Sequence, residues 1–350
     1  MRFRTGCAIV ALALSGALAA PASAQSAAGV SPAPASEASP PMWRVTDADS
    51  EIFLLGTFHV LPQGMNWRSP AVDKAIEASP VVWFEAEVDT PAARQATLNY
   101  VMTQGFNANG GKLTEMLAPA DAAKLQTIVS EIGLPMAAID PMRPWQAFLT
   151  LSVQFIVSKG FDPSSGVEST LLSEMRNRGR TLHYFETVEQ QLGFFGGFSS
   201  EQEMDLLLAT LRDWDQYADD FGALFAAWRT GDAEKIDSMM NESLREQAPA
   251  VFNVLVTKRN TAWAEALAKE MAGSGTELVA VGAGHLVGKG SLPDLLAAKG
   301  FKVERYGVST SAAASTFAPA NDNAPASDDI AADPIGDILQ DLGSDSATEN

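Results

Sequence analysis

The sequence contains the same short element twice, an apolar run followed by Gly-x-x-His. The first copy, IFLLGTFH, begins its motif at Gly56 and ends at His59, and the second, LVAVGAGH, runs through Gly282 to His285. The chain has only three histidines, so two of them share one local setting. A short apolar run closed by glycine is typical of a buried strand, and a helical pattern follows each copy.

The two copies predict two related β-α-β halves. The first half joins the strand before His59, a helix in SPAVDKAIEAS and a strand in PVVWFEAEV, and the second joins TELVAVG, SLPDLLAAKGF and KVERYGV. Helical apolar spacing dominates the residues between the halves. We therefore expect an α/β (α+β) fold with a central mixed β-sheet flanked by helices and a large helical insertion between the halves.

Polar side chains follow four of the predicted strands: His59, Glu85 with Glu87, Glu186, and His285. The carboxyl ends of parallel strands meet at one edge of a sheet, where ligands collect. Glu85 and Glu87 alternate with apolar neighbours, so both are expected to point to one side of their strand. Imidazoles and carboxylates together are typical ligands of a divalent metal ion. The pattern therefore predicts a metal site with open positions at this edge.

Simpler explanations exist for each part of the pattern. A single histidine in a turn is more often a hydrogen-bonding residue than a ligand, and Glu85 with Glu87 could form a solvated face. His183, beside an aromatic pair, is expected to be structural. The aromatic and methionine residues between 188 and 240 are expected to form core. Two matching copies in a chain so poor in histidine raise the weight of the functional interpretation.

Several other chemistries lack their motifs. Gly282-x-Gly284 with Glu304 outlines a dinucleotide fingerprint, but the third glycine position is Val287. The sequence has no G-x-S-x-G elbow and no H-E-x-x-H helix. Its single cysteine, Cys7, lies in the N-terminal apolar stretch. Thiol nucleophiles and thiolate metal sites are thus excluded from the remaining chain.

The two ends of the chain have the composition of segments outside a fold. Residues 1–24 resemble a signal peptide, with an apolar stretch after Arg2 and Arg4 and small residues before the predicted cleavage after Ala24. Residues 25–42 are predicted to be a flexible spacer, 43–310 the folded domain, and 311–350 a disordered acidic tail without lysine or arginine. We therefore expect a periplasmic or secreted protein with no transmembrane segment after signal cleavage.

The net charge of −19 argues against nucleic acid as a partner. A negative chain remains compatible with cation binding. The sequence leaves the oligomeric state open.

The quoted motifs also resemble a known family. FLLGTFHVLP, FETVEQQL, LVTKRNTAWAEAL and ELVAVGAGHLVG are similar to segments of the TraB/GumN family, also called TraB–PrgY–GumN or TIKI-like, over about residues 43 to 307. The resemblance implies a fold related to the erythromycin-esterase and ChaN-like group. Its animal members are metal-dependent proteases, which implies a divalent cofactor such as manganese or cobalt. The ligand types alone would suit zinc equally well.

The resemblance also implies roles for individual residues. His59 and His285 are the expected metal ligands, and Glu85 is a third ligand or a general base. Glu186 matches a family glutamate and could take a proton. Arg259 matches the arginine of RN-x-x-W and could hold a substrate carboxylate or stabilise an oxyanion.

From the residues and the resemblance together we expect an exported metal-dependent hydrolase acting on a peptide or another small substrate. Two other functions stay open. One is a non-catalytic module that binds a peptide, a metal or haem, and the other is an accessory factor in envelope polysaccharide assembly. A binding site for haem would not require both Glu85 and Glu186, whereas a hydrolase has a use for them.

Overall fold

The computed structural model describes residues 38–307, and a six-stranded sheet lies at its centre. The strands are β1 (Met42–Thr46), β2 (Ser50–Thr57), β3 (Leu61–Pro62), β4 (Val81–Ala86), β5 (Phe161–Asp162), β6 (Thr181–Glu186), β7 (Gly275–Gly282) and β8 (Lys302–Arg305). The main sheet has the order β6-β4-β7-β2-β1-β8, and β3 pairs with β5 separately. Within the main sheet, β1 is antiparallel to β2 and β8 and the other pairs are parallel, whereas the separate β3–β5 pair is antiparallel. The predicted mixed sheet is confirmed.

Helices surround this sheet. They are α1 (Pro70–Ala78), α2 (Pro91–Gln104), α3 (Leu113–Met116), α4 (Pro119–Glu131), α5 (Met136–Ile139), α6 (Pro144–Ser158), α7 (Val167–Asn177), α8 (Val188–Gly196), α9 (Ser200–Asp213), α10 (Tyr217–Thr230), α11 (Ala233–Asp237), α12 (Ser243–Gln247), α13 (Pro249–Phe252), α14 (Lys258–Glu270) and α15 (Leu292–Ala298). Two π-helical segments, Ser238–Glu242 and Asn253–Thr257, interrupt them. The insertion between the halves is largely helical, and β6 leaves it to join the main sheet.

The two β-α-β halves interleave. Strand β7 of the second half lies between β2 and β4 of the first. It pairs with β2 over its full length, with Thr57 opposite Gly282. The two Gly-x-x-His segments therefore leave the sheet side by side, although they are far apart in sequence.

The central strands are buried on both faces. Ile52 to Leu55 of β2 and Leu278 to Val281 of β7 all have 2% or less of their surface exposed. Continuous apolar runs are what such strands require, because helices cover both sides of a parallel sheet. This explains why the two runs lack the alternation of a strand with one wet face.

The packed part of the chain begins earlier than expected. The sequence predicts a flexible spacer up to residue 42. In the structure, however, Ala38 and Met42 are buried and β1 begins at Met42. Ser39 N donates to Arg229 O at 2.7 Å, and Gly56 N donates to Pro41 O at 2.8 Å. The proline-rich stretch thus lies against the fold, where it donates one backbone hydrogen bond and accepts another, which its composition does not reveal.

The predicted signal peptide (1–24), residues 25–37 of the spacer and the acidic tail (311–350) lie outside the described residues. Within residues 38–307, no helix combines the length and the apolar character needed to cross a membrane.

Candidate functional site

The sheet edge gathers the predicted polar residues as its topology requires. Glu85 is the penultimate residue of β4, Glu186 ends β6, and His59 and His285 follow β2 and β7. Helix α14 brings Arg259 into the same cluster. All five side chains are less than a tenth exposed.

Arg259 is the centre of this cluster and uses all five of its N–H groups. Its Nε and Nη2 donate to the two oxygens of Glu186 at 2.8 and 2.9 Å, and Nη2 also donates to Glu85 Oε2 at 2.6 Å. Its Nη1 donates to Leu255 O at 3.2 Å and contacts His285 Nε2 at 3.0 Å. Burial alone would lower the pKa of Arg259, but the two carboxylates raise it. With every donor occupied, this geometry favours a positioning role over direct contact with a substrate.

His285 is held in one tautomer by its neighbours. Asn260 donates its amide hydrogens to the carbonyls of His285 and Gly290, so its Oδ1 accepts from His285 Nδ1 at 2.7 Å. Because the ring hydrogen is on Nδ1, Nε2 has a free lone pair and accepts a hydrogen bond from Arg259 Nη1. Burial and the adjacent Arg259 lower the pKa of His285 to about 3. The imidazole is therefore neutral at physiological pH.

Glu85 is fixed as a carboxylate by three donors. Besides Arg259, Gly282 N donates to its Oε1 at 2.7 Å and Gln191 Nε2 to its Oε2 at 3.1 Å. Burial alone would raise the pKa of Glu85, but Arg259 and the two histidines bring it to about 2. The charge stays in place across the physiological range, as a cation ligand requires.

His59 has one committed nitrogen and one open one. Its Nδ1 pairs with Glu168 Oε2, while its Nε2 is buried without a hydrogen-bond partner among residues 38–307. Burial alone would lower the pKa of His59, but Glu168 raises it. Burial raises the pKa of Glu168 in turn, and its Oε1 also lacks a partner in the described part of the chain.

The structure adds Glu168 to the predicted residues. Helix α7 begins directly after Gly166, where a Cβ would lie only 2.1 Å from His59 O, and Val167 N donates to Phe58 O at 3.0 Å. This close approach places the acid of the first helical turn against the histidine. The sequence gives no local sign of this role for Glu168, because nothing in GVE shows which loop the helix contacts.

Three of these residues could hold a cation together. Ligand atoms of His59, Glu85 and Glu168 all lie within 4.8 Å of one another. A Cβ on Gly282 would be 3.1 Å from His59 Nε2 and 3.2 Å from Glu85 Oε1, so the absent side chain leaves space between them. The donor set and this space fit a divalent cation. His285 Nε2, the other predicted ligand, lies 4.0 Å from Glu85 Oε1 but faces Arg259.

The remaining motif residues have structural partners. Gly56 O accepts from Trp228 Nε1 at 2.9 Å, and Trp263 Nε1 donates to Glu186 Oε1 at 3.1 Å. Burial raises the pKa of Glu186, although Arg259 lowers it. Glu87 is not brought to the cluster. Because β4 ends at Ala86, the strand alternation stops before it, and its 44% exposed side chain lies 3.9 Å from Arg176 Nη2.

A partly enclosed cavity opens beside His59 and His285. The space that water molecules could occupy in it is about 50 Å³, which is room for a few of them. Its polar lining includes Gln191 and Asn241, while most of its walls are apolar side chains. The arrangement is a buried charged cluster facing a small apolar chamber.

Comparisons with known proteins agree with the quoted motifs. The model of the TraB/PrgY/gumN family matches residues 41–305. The uncharacterized protein YbaP of Escherichia coli (strain K12) is 23% identical over 243 residues, which cover 69% of this chain and 86% of YbaP. YbaP of Shigella flexneri gives the same values. No solved structure gives a significant match. Since the family model covers most of the chain, the protein belongs to the TraB/PrgY/gumN family.

Proposed function

We propose that the protein is a metal-dependent hydrolase that acts on peptides. His59 and Glu85 would hold the cation, with His285 and Glu168 adjacent to it. The observation that carries the proposal is the buried Nε2 of His59, which has no hydrogen-bond partner among residues 38–307 and lies beside an ionised Glu85 across the space left by Gly282. A buried polar atom without a partner is costly, and a bound ion would remove that cost.

The chain's own residues would divide the work as follows. A bound divalent cation supplies Lewis acidity and an activated water. Arg259 keeps Glu85 ionised, and Asn260 keeps His285 in one tautomer. Both oxygens of Glu186 are engaged by Arg259, whereas Glu168 keeps one oxygen free. Glu168 is therefore the carboxylate that we assign to proton transfer.

The first test is metal binding by the purified protein. Wild type, His59→Gln and His183→Gln are stripped with chelator and titrated with manganese, cobalt and zinc, with metal content and melting temperature as readouts. We expect one tightly bound ion and a rise in melting temperature for wild type. His59→Gln should bind at least about tenfold more weakly. The His183 ring packs at a tilt against Trp83, with the ring centroids 4.6 Å apart, and His183 serves as the matched histidine control.

The second test is hydrolysis of a peptide mixture by the loaded wild type and by Glu168→Gln, which keeps the size of the side chain. Loss of turnover with metal binding retained would support the assigned proton transfer. Absence of metal binding in wild type would contradict the proposal. Tight metal binding without hydrolysis of any peptide would instead identify a non-catalytic binding module.

A further inference from the structure

The cavity beside the cluster has a distinct composition. Eleven of the side chains that line it are apolar: Phe58, Phe194, Phe195, Leu224, Trp228, Ile236, Met240, Leu244, Leu255, Val256 and Ala283. Most are fully buried, whereas Met240 and Val256 are half-buried and mark its outer part. A chamber of this kind favours an apolar group, because transfer of such a group from water is favourable.

The ionisable side chains of the cavity lie together at its polar end. Its ionisable lining residues, among those the structure describes, are His59, Arg259 and His285. Arg259 is saturated by acceptors within the protein. A charged group that entered the apolar part of the cavity would lose its hydration among side chains that offer it no charge partner.

Two π-helical segments shape the cavity. Met240 and Asn241 come from Ser238–Glu242, and Leu255 and Val256 come from Asn253–Thr257. Asn241 donates to Gly284 O at 2.8 Å and to Val287 O at 3.3 Å, which ties the first segment to the second Gly-x-x-His loop. Single π-helical turns inside α-helical regions are frequent at functional sites.

We infer that this chamber is a specificity pocket for one uncharged, bulky apolar side chain of a peptide, of about leucine to phenylalanine size. The inference rests on the proposed function and names the substrate class for the same site. Because the same cavity is also lined by His59 and His285, a peptide whose side chain occupied the apolar part would present an adjoining carbonyl to the cluster. Hydrolysis there forms a C–O bond from water, breaks the C–N bond and transfers the water's proton to the leaving amine.

The test uses blocked pentapeptides, acetyl-Ala-Ala-X-Ala-Ala-amide, with X as leucine, methionine, phenylalanine, glycine, aspartate or lysine. Binding to the manganese-loaded and metal-free protein is measured by calorimetry and by tryptophan fluorescence, because Trp228 lines the cavity. We expect leucine, methionine and phenylalanine peptides to bind at least about tenfold more tightly than the glycine peptide. The aspartate and lysine peptides should bind no better than glycine.

A matched pair of variants locates the pocket. Met240→Trp fills the outer cavity and should remove the preference, whereas Leu98→Trp, at a position 58% exposed on α2, should retain it. Melting temperature confirms folding of each variant, and metal content is measured in parallel. If Met240→Trp fails to fold, the order of peptide affinities measured with wild type still tests the inference.

The possible results separate the inference from the proposed function. Metal binding without a preference for apolar X, or a preference for aspartate or lysine, overturns the inference and leaves the metal site standing. A clear apolar preference in a protein that binds no metal supports the pocket and contradicts the hydrolase. A preference that survives Met240→Trp in a folded variant would place the recognition elsewhere and overturn the inference.

Discussion

At the scale of single residues, the position of Gly282 shows how a missing side chain creates a site. Its φ is −49°, so alanine is allowed there, but a Cβ would enter the space between His59 Nε2 and Glu85 Oε1. We expect Gly282→Ala to weaken metal binding at least about tenfold while the metal-free protein stays folded. Calorimetric titration with manganese measures the effect.

Gly222 provides the control for this substitution. It lies within α10, and a Cβ there would meet no atom within 4 Å. Gly222→Ala should leave metal binding unchanged and stabilise the protein by about 0.5–1 kcal/mol, because alanine is the better helix former. Equal metal affinity in Gly282→Ala and Gly222→Ala would contradict the assigned space.

A second prediction about a single residue concerns Arg259. Lysine has three donors in place of five and cannot bridge Glu85, Glu186 and His285 together. We expect Arg259→Lys to lower the free energy of unfolding by about 3 kcal/mol or more, because it leaves a buried carboxylate poorly paired. Urea denaturation measures this. Arg178→Lys, in a pair with the 62% exposed Glu77, should change it by less than about 1 kcal/mol.

The sequence predicted the site residues that follow strands, because a strand end fixes where a side chain emerges. Four of those residues, His59, Glu85, Glu186 and His285, are together in the structure. It did not predict the partners that come from helices. Glu168 reaches His59 only through the contact of α7 with the loop after β2, and such tertiary docking leaves no local pattern.

At the scale of elements, apolar runs and helix caps identified most strands and helices. The pair β3–β5 has only two residues in each strand, too few for any periodicity. Helix α2 was not predicted, since its buried face consists of little more than Ala93 and Thr97. The two π-helical segments were not predicted either, because each is only five residues long and lies between α-helical segments.

Helix α10 supplies a pH-dependent prediction. Burial raises the pKa of Tyr217 well above its usual range, although a hydrogen bond with Ser152 lowers it. Its folded pKa therefore exceeds the unfolded value of about 10. Its contribution to stability is full below pH 10 and is lost as the pH rises above that value.

Tyr217→Phe isolates this effect. The stability of wild type relative to Tyr217→Phe should be constant from pH 7 to 9 and decline between pH 10 and 11. Thermal or urea unfolding at each pH gives the difference. A difference that stays flat through pH 11 would contradict the assigned burial of the phenol.

At the scale of the whole molecule, the N-terminal boundary has an energetic consequence. A chain that begins at residue 43 lacks Ser39, Pro41 and the buried Met42, and leaves Gly56 N without its acceptor. We expect it to be about 3 kcal/mol less stable than a chain that begins at residue 38. The melting curves of the two chains test this. Equal stability would mean that residues 38–42 contribute nothing to the fold and belong to the spacer.

The position of β7 between β2 and β4 also sets the order in which the protein can be completed. The strands that lead to His59 and Glu85 are made early, yet they do not touch each other and both border β7. For most of its synthesis the chain therefore has two apolar strands with unpaired edges and no assembled site. Pairing between strands so far apart in sequence slows folding and prolongs exposure of those edges. Because β7 lies near the end of the folded part, His59 and His285 come together only after most of the chain has been synthesised.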